Sequence, residues 1–296
     1  MTRKVYCAMQ FFNELELLKL KVEELRDVVD VIITSESNKT HSGLDKPFHL
    51  NNNSFQSNKY SNMKIFHQAV FTTPSTYQEL LDMKPYNEIH KQIIQKTAQG
   101  NWWDHNQESY LRDTYEKEML LSPLSSLGVQ DNDIVILGDL DEIPKASVVK
   151  EIVDNFRDGE IYHLQHDFYW YYFNILKEEN WYGNIMLNYK TLKENSFCEL
   201  RTHKRGNFVK SGGWHMSYMG GLNRVKEKIA SWGEQSLNVP QVINNVEDNI
   251  KNCLINNRDL FFRPAKFTVV PITYKTHPKY LVDNLDEFKN FIYKEE

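Results

Sequence analysis

A chain of 296 residues with 41% hydrophobic and 25% charged side chains is long enough for one large or two small domains and too apolar for wholesale disorder. Lys and Arg total 35 against 40 Asp and Glu, a formal charge of −5, and no segment concentrates the basic residues, so nucleic acid is not an expected partner. No apolar run reaches the roughly 18–20 residues of a membrane span, and the first residues lack an apolar stretch long enough for a signal peptide.

Val5 to Met9 reads as a short buried strand. Asn13 is a good N-cap with Glu16 three residues on, and Leu15, Leu18, Val22 and Leu25 recur at helical spacing. Residues 28–33 are β-branched and read as a second buried strand, ending in the polar tip 34–38. Strand, helix, strand implies a right-handed crossover and parallel pairing. Residues 41–62, including Asn51-Asn52-Asn53, read as a long loop, and 64–71 as a third strand. Residues 75–100 look helical but are interrupted at Pro85. A helix over 102–121 would place Leu111, Tyr115 and Met119 inward. After the turn at Gly128 and Asp131-Asn132-Asp133, the run Ile134 to Leu137 is too short for a helix and suits a central strand. A helix with Val149, Ile152, Val153 and Phe156 inward follows, then a strand over 160–164. The aromatic run 168–173 reads mainly as core, and Trp181-Tyr182-Gly183-Asn184 as an exposed loop. Further helices are expected near 240–256 and 279–293. The alternation predicts an α/β fold with a largely parallel central sheet flanked by helices. Cys7, Cys198 and Cys253 are far apart with no C-x-x-C pair, which argues against a disulfide framework or a structural zinc and for a reducing compartment.

The main chemical signal is Asp139-x-Asp141, just past the 134–137 strand and Gly138. Ligand sites of open α/β sheets lie beyond such strand ends. Two carboxylates on one turn can share a hard cation, Mg²⁺ or Mn²⁺, that leaves positions open for phosphate oxygens. The same spacing in Asp131-x-Asp133 precedes the strand and reads as a turn; an acidic helix-capping turn is the plain alternative for the second copy too. His215, set between the pairs Gly212-Gly213 and Gly220-Gly221, is either a structural histidine or a third metal or diphosphate contact. Trp181 could stack on a sugar ring. Arg112 is either a solvated helix charge or a phosphate contact. Glu234, next but one to Trp232, could have a raised pKa suited to a general base, or be a plain surface acid.

These residues resemble a known family, glycosyltransferase family 17, the β-1,4-N-acetylglucosaminyltransferase-like enzymes. The resemblance runs through Phe11 to Leu18, Leu25-x-x-Val28-Val29-Asp30, Glu36-Ser37-Asn38 and Tyr110-Leu111-Arg112-Asp113, where Asp113 stands in place of the usual Asn. It continues through Ile136 to Pro144, with its Asp-x-Asp-Glu-Ile-Pro motif, the Gly-Gly-Trp-His block 212–215 and Pro278-x-Tyr280-Leu281. Where family members commonly carry aromatic-x-His-x-Glu, this chain has Trp232 followed by Glu234 and Ser236.

The resemblance implies a single GT-A-like catalytic domain over 1–296, with 1–145 as its nucleotide-sugar-binding half and 146–296 as its acceptor side. It implies an inverting, Mn²⁺- or Mg²⁺-dependent transfer from a donor such as UDP-N-acetylglucosamine to a glycan acceptor. Asp139, Asp141 and His215 would serve the metal, and Glu36, Ser37, Arg112, Trp181 and Trp214 the donor. Glu234 would be the base, ahead of Glu199 and Asp248, and Glu142 would hold the donor sugar. Eukaryotic members have a membrane anchor that this sequence lacks, so the expected setting is the cytoplasm of a bacterial or virus-infected cell. The carboxylates alone would also fit a metal-dependent phosphoesterase or nucleotidyltransferase, and the aromatics a non-catalytic glycan-binding protein.

Overall fold

A computed structural model describes residues 3–50, 63–100 and 103–294. The Asn51-Asn52-Asn53 cluster and Trp102 lie outside the described residues. The chain opens with β1 (Val5–Gln10), α1 (Leu15–Leu25), β2 (Val31–Ser37) and β3 (Lys64–Val70). β1 pairs in parallel with β2, and β2 with β3, as the crossover rule requires. The expected polar tip 34–38 is largely strand: Thr34 to Ser37 are buried and register with His67 to Val70. Glu14, not Asn13, is the α1 cap residue, and the Asn13 amide instead donates to Glu227 at 2.9 Å. Leu15 is exposed, while Leu17 and Leu20 join Leu18, Val22 and Leu25 in the core.

Pro85 divides the next stretch into α2 (Tyr77–Asp82) and α3 (Glu88–Gln99), capped by Thr76 and Asn87 side chains that accept from Glu79 N and His90 N. α4 (Glu108–Glu118) starts later than the sequence suggests, and α5 (Leu121–Ser126) follows. β4 (Ile134–Leu137) pairs in parallel with β1. It is followed by β5 (Glu142–Pro144), α6 (Ala146–Asn155), β6 (Tyr162–Trp170) and β7 (Ile175–Asn188). The sequence does not announce β7. Lys177-Glu178-Glu179-Asn180 breaks its apolar pattern, so Trp181 to Asn184 read as loop, yet they lie inside the strand with Gly183 and Asn184 buried. Strand alternation sends Lys177, Glu179 and Trp181 one way, into a cleft, while Glu178 faces the other way and pairs with Lys266.

The remainder is α7 (Tyr189–Glu194), α8 (Phe197–Thr202), β8 (Asn207–Ser217), α9 (Gly221–Ser231), α10 (Pro240–Ile243), α11 (Val246–Lys251), α12 (Cys253–Asn256), β9 (Phe267–Val269) and α13 (Lys279–Asp283). The helix expected over 240–256 is thus three short pieces, and the one expected over 279–293 is a short helix and a 3₁₀ turn. The sheet runs β3-β2-β1-β4-β7-β6-β8-β5, with β9 on β7. Its first four strands are parallel; β7 enters antiparallel to β4 and makes the sheet mixed.

Alternation along β1 and β4 divides the core in two. Val5, Cys7, Ile134 and Ile136 pack under α1 and α6, and Tyr6, Ala8, Val135 and Leu137 pack under α4 and α5. A third, aromatic cluster gathers Phe168, Trp170, Tyr218 and Phe261 beneath the second half. The aromatic run is core as expected, and alternation along β6 also turns Phe168 and Trp170 toward the cleft.

β5 and β8 carry the two motif blocks and pair antiparallel, Glu142 opposite His215, Ile143 opposite Trp214 and Pro144 opposite Gly213. A Cβ on Gly213 would lie 2.2 Å from the Ile143 carbonyl oxygen and 2.9 Å from Pro144 Cα, backbone atoms that cannot step aside. Gly213→Ala is therefore expected to cost about 1–3 kcal/mol, the range of overpacked sites. Chemical denaturation would measure it, and an unchanged unfolding midpoint would show that the two strands can part without penalty.

Candidate active site

A cleft of about 540 Å³ opens beyond the C-terminal ends of the parallel strands. Gln10 at the end of β1, Ser37 at the end of β2 and the turn after β4 line its first half. The turn, Gly138 to Asp141, is short because β4 stops at Leu137 and β5 starts at Glu142, so both aspartates face the opening. Lys21, fully buried in α1, donates to the Asp139 carbonyl at 2.8 Å and holds the turn from below.

Glu142 anchors the same turn. Its carboxylate is fully buried and accepts four hydrogen bonds: Arg201 Nη2 at 2.7 Å and Trp181 Nε1 at 2.8 Å on Oε1, Arg201 Nη1 at 2.9 Å and Asp139 N at 2.9 Å on Oε2. That uses the full acceptor capacity of a carboxylate. Burial alone would raise its pKa, but the Arg201 guanidinium outweighs burial and holds it well below the usual range. Glu142 does not line the cleft and has no free lone pair for a donor sugar. Its part is to position Trp181, Arg201 and Asp139.

Arg201 also reaches Asp139 Oδ2 at 2.8 Å, and Lys117 Nζ lies 3.9 Å from Asp139 Oδ1. Asp141 Oδ2 accepts from Lys228 Nζ at 2.7 Å and lies 3.5 Å from His215 Nε2. Burial would push the Asp141 carboxyl up, but Lys228 and His215 hold it far below the ordinary range. His215 lies in strand β8, stacked on Phe168 with centroids 4.4 Å apart and tilted against Trp181 at 4.6 Å. Its Nδ1 is buried and has no hydrogen-bond partner among the described residues. Asp139, Asp141, His215 and Trp181 thus meet on one wall of the cleft.

Glu234 lines the same cleft from the segment after α9. The Tyr110 hydroxyl donates to its Oε2 and the Ser236 hydroxyl to its Oε1. Burial would raise its pKa, but these two hydroxyls, with the Ser236 amide and the nearby Arg263, outweigh burial and the net shift is downward. The upward shift expected from Trp232 is not found: that ring stacks on Phe261 at 5.5 Å instead of desolvating the acid. Glu199, paired with Arg205, and Asp248 on α11 do not line the cleft.

Three expected donor residues lie elsewhere. Glu36 is fully buried and accepts from Lys46 Nζ at 2.7 Å and from the amides of His49 and Leu50 at 2.7 and 3.1 Å, so it shapes a loop. Arg112 donates to the carbonyls of His41 at 2.6 Å and Ser75 at 3.0 Å, facing away from the cleft. Trp214 packs in the core and donates to Thr276 O at 2.8 Å. Ser37 does line the cleft, with Oγ 3.0 Å from Thr73 Oγ1.

Sequence reasoning missed Arg201, Lys228, Lys117 and Tyr110. For α4 a signal existed. Positions 110, 113 and 117 share a helical face and all line the cleft, whereas 112 points away from that face. Nothing around Arg201 distinguishes it from any exposed helical arginine.

The profile of glycosyltransferase family 17 matches residues 1–81 and 77–292. The chain belongs to glycosyltransferase family 17. No curated protein matches it. It is a glycosyltransferase, an enzyme that brings a sugar donor and an acceptor together. No helix of the described residues is long and apolar enough to cross a membrane.

The glycosyltransferase's acidic turn fits a hard divalent ion. Among the described residues no three His, Cys, Asp or Glu side chains are grouped as a ready ligand set. Asp139 and Asp141 would hold such an ion through two carboxylates and leave its other positions to phosphate oxygens and water, the usual manner of Mg²⁺.

Breaking a buried ion pair by removing one partner costs about 3–5 kcal/mol, so Glu142→Gln should destabilise the enzyme on that scale near neutral pH. The sign with pH follows from the depressed pKa. The stabilisation is present above the ordinary glutamate value of 4.5 and is lost as pH falls toward the lower native value. Unfolding free energies of the two proteins should therefore converge in acid. A gap that stays constant down to the lowest measurable pH would exclude this account of Glu142.

Proposed function

We propose that the enzyme is a metal-dependent inverting transferase that moves N-acetylglucosamine from a UDP-sugar to a glycan hydroxyl, forming a β-linkage. The observation that carries this reading is the pairing of an acidic turn at the parallel strand ends with an aromatic wall in one cleft. Phe168, Trp170, Trp181, Tyr218 and Trp232 all line that cleft. Aromatic faces suit the apolar C–H faces of sugar rings. The first-half strand ends would receive the nucleotide, and the second-half aromatics the acceptor.

Asp139 and Asp141 would hold Mn²⁺ or Mg²⁺, with His215 beside Asp141 as a third contact to the ion or the diphosphate. When bound, the ion supplies Lewis-acid stabilisation of the diphosphate. Trp181, fixed by Glu142 and tilted against His215, would bound the donor sugar. Glu234 is the proposed base. The Tyr110 and Ser236 hydroxyls and the Ser236 amide occupy three of a carboxylate's roughly four acceptor sites, which leaves one for an acceptor hydroxyl. The hydroxyl oxygen attacks the anomeric carbon as the bond to the diphosphate breaks. The proton passes to Glu234, and the bonding pair leaves with the nucleoside diphosphate. Attack opposite the leaving group inverts the centre, giving β from an α-linked donor. A carboxyl with a lowered pKa stays ionised at neutral pH, so it is ready to accept that proton.

Incubation with a panel of nucleotide sugars, Mn²⁺ and candidate acceptor glycans should release UDP. Release of phosphate or pyrophosphate instead would favour a phosphoesterase or nucleotidyltransferase, and release of nothing a glycan-binding protein. Asp141→Ala should abolish metal-dependent donor binding with the fold intact, and full turnover by that variant would refute the metal role.

Glu234→Gln should lose about 10²–10⁴-fold in kcat with donor binding nearly unchanged, the usual loss for a general base. In the unsubstituted enzyme, kcat should hold steady from neutral pH down to the ordinary glutamate value of 4.5 and fall only below it. An acid limb centred near neutrality would point to another base.

A further inference from the structure

Two carboxylates set to share one divalent ion repel each other until a cation joins them. In this structure each has one oxygen hydrogen-bonded to a cation from another element. Arg201 of α8 holds Asp139 Oδ2 at 2.8 Å, and Lys228 of α9 holds Asp141 Oδ2 at 2.7 Å. The two cations are anchored differently. Arg201 is pinned by both Glu142 oxygens and, at 3.3 Å, by the Gly183 carbonyl. The Lys228 ammonium makes only its contact with Asp141 among the hydrogen bonds of the described residues, and it sits 5.3 Å from the Tyr218 ring centroid. Its side chain is 28% exposed, lines the cleft and ends on a flexible four-carbon stem. The root of that stem is fixed, because Arg224 one turn earlier on α9 forks onto Glu16 of α1 at 2.7 and 3.0 Å.

We propose that Lys228 has two stations: it neutralises Asp141 while no divalent ion is bound, and it moves onto the diphosphate of the donor once Asp141 takes the ion. The second station rests on the nucleotide-sugar reading above. A divalent ion on Asp141 repels the ammonium 2.7 Å from its Oδ2 and draws off the carboxylate's charge, so the hold of Asp141 on Lys228 weakens when the ion binds. Displaced from Asp141, the ammonium meets the strongest nearby anion, the phosphate oxygens that complete the ion's coordination. A lysine suits this exchange: its charge is compact and its stem mobile, whereas the planar fork of Arg201 is locked by Glu142. Lys228 is thus a positioning cation for the leaving group, and it tunes how tightly the empty enzyme holds metal.

The test compares the unsubstituted enzyme with Lys228→Met and Lys228→Arg by calorimetric titration, first of Mn²⁺ into donor-free protein, then of UDP at saturating Mn²⁺. Lys228→Met removes the competitor, so Mn²⁺ should bind about tenfold tighter, while UDP should bind about tenfold weaker, the scale of one charge-assisted hydrogen bond. Lys228→Arg keeps the charge and should stay within about threefold of the unsubstituted protein in both titrations. Opposite shifts in the two affinities are the signature. A merely structural ion pair would weaken both together as Asp141 loses its orientation, and that result overturns the proposal, as does Mn²⁺ binding no tighter in Lys228→Met. If the unsubstituted protein binds Mn²⁺ but not UDP, the UDP-donor reading fails with the second station, while the Mn²⁺ comparison still decides the first. If it binds no Mn²⁺, both fall.

Discussion

A carboxylate with no exposed surface must find all its hydrogen bonds inside the protein, and Glu142 finds them in the groups that build the cleft. Its four hydrogen bonds come from three residues, on the β4–β5 turn, on β7 and on α8. Each would be loose without it. The Asp139 amide belongs to a short turn between two strands, Trp181 is a half-buried ring on a highly charged strand, and Arg201 sits on a helix of six residues. One buried anion converts these three pieces into a single rigid wall. Its neighbourhood is built to that tolerance: Gly138 and Gly183 approach so closely that an added Cβ would lie 2.8 Å from Glu142 Oε2 and 2.9 Å from its Cδ, respectively.

The fold makes this possible by pairing two distant segments. β5 has only three residues, too few to hold its place alone, and it is locked by β8 with Glu142 opposite His215. The parallel pairing of β8 with β6 then places Phe168 opposite His215. The backbone register therefore stacks the imidazole on a phenyl ring, with its Nε2 toward Asp141. Chemistry in this cleft depends on strand register as much as on side-chain identity, because a slip of one residue would turn His215 to the opposite face.

Charge balance is the second constraint. The cleft collects Asp113, Asp139, Asp141 and Glu234 beside Lys117, Arg201 and Lys228. Burial would raise the Asp113 and Asp141 carboxyls, but Lys117 and Lys228 hold them low, while Glu234 is held low mainly by the Ser236 and Tyr110 hydroxyls. His41 extends the network at the cleft's edge, 3.5 Å from Asp113 and 3.3 Å from Glu116, and these acids raise its pKa against the opposing pull of burial.

The sequence by itself determined the parallel half of the sheet, the acidic turn at the end of β4 and the family. Those features are local: a β-branched run, a strand too short to be a helix, and motif blocks that keep their order along the chain. Tertiary structure decided the rest. β7 was illegible because its charged residues are satisfied by partners far along the chain, Glu178 by Lys266 for one, so alternation looked like loop. Arg112, Glu36 and Trp214 drew attention by residue type and motif, yet each is turned to a loop backbone or to the core. Arg201 and Lys228 carry no local mark, and their meeting with the acidic pair exists only once α8 and α9 are folded against the β4–β5 turn. A side chain's electrostatic role depends on what lies within a few ångströms of it, and for these residues that neighbour lies 62 and 87 positions away in the chain.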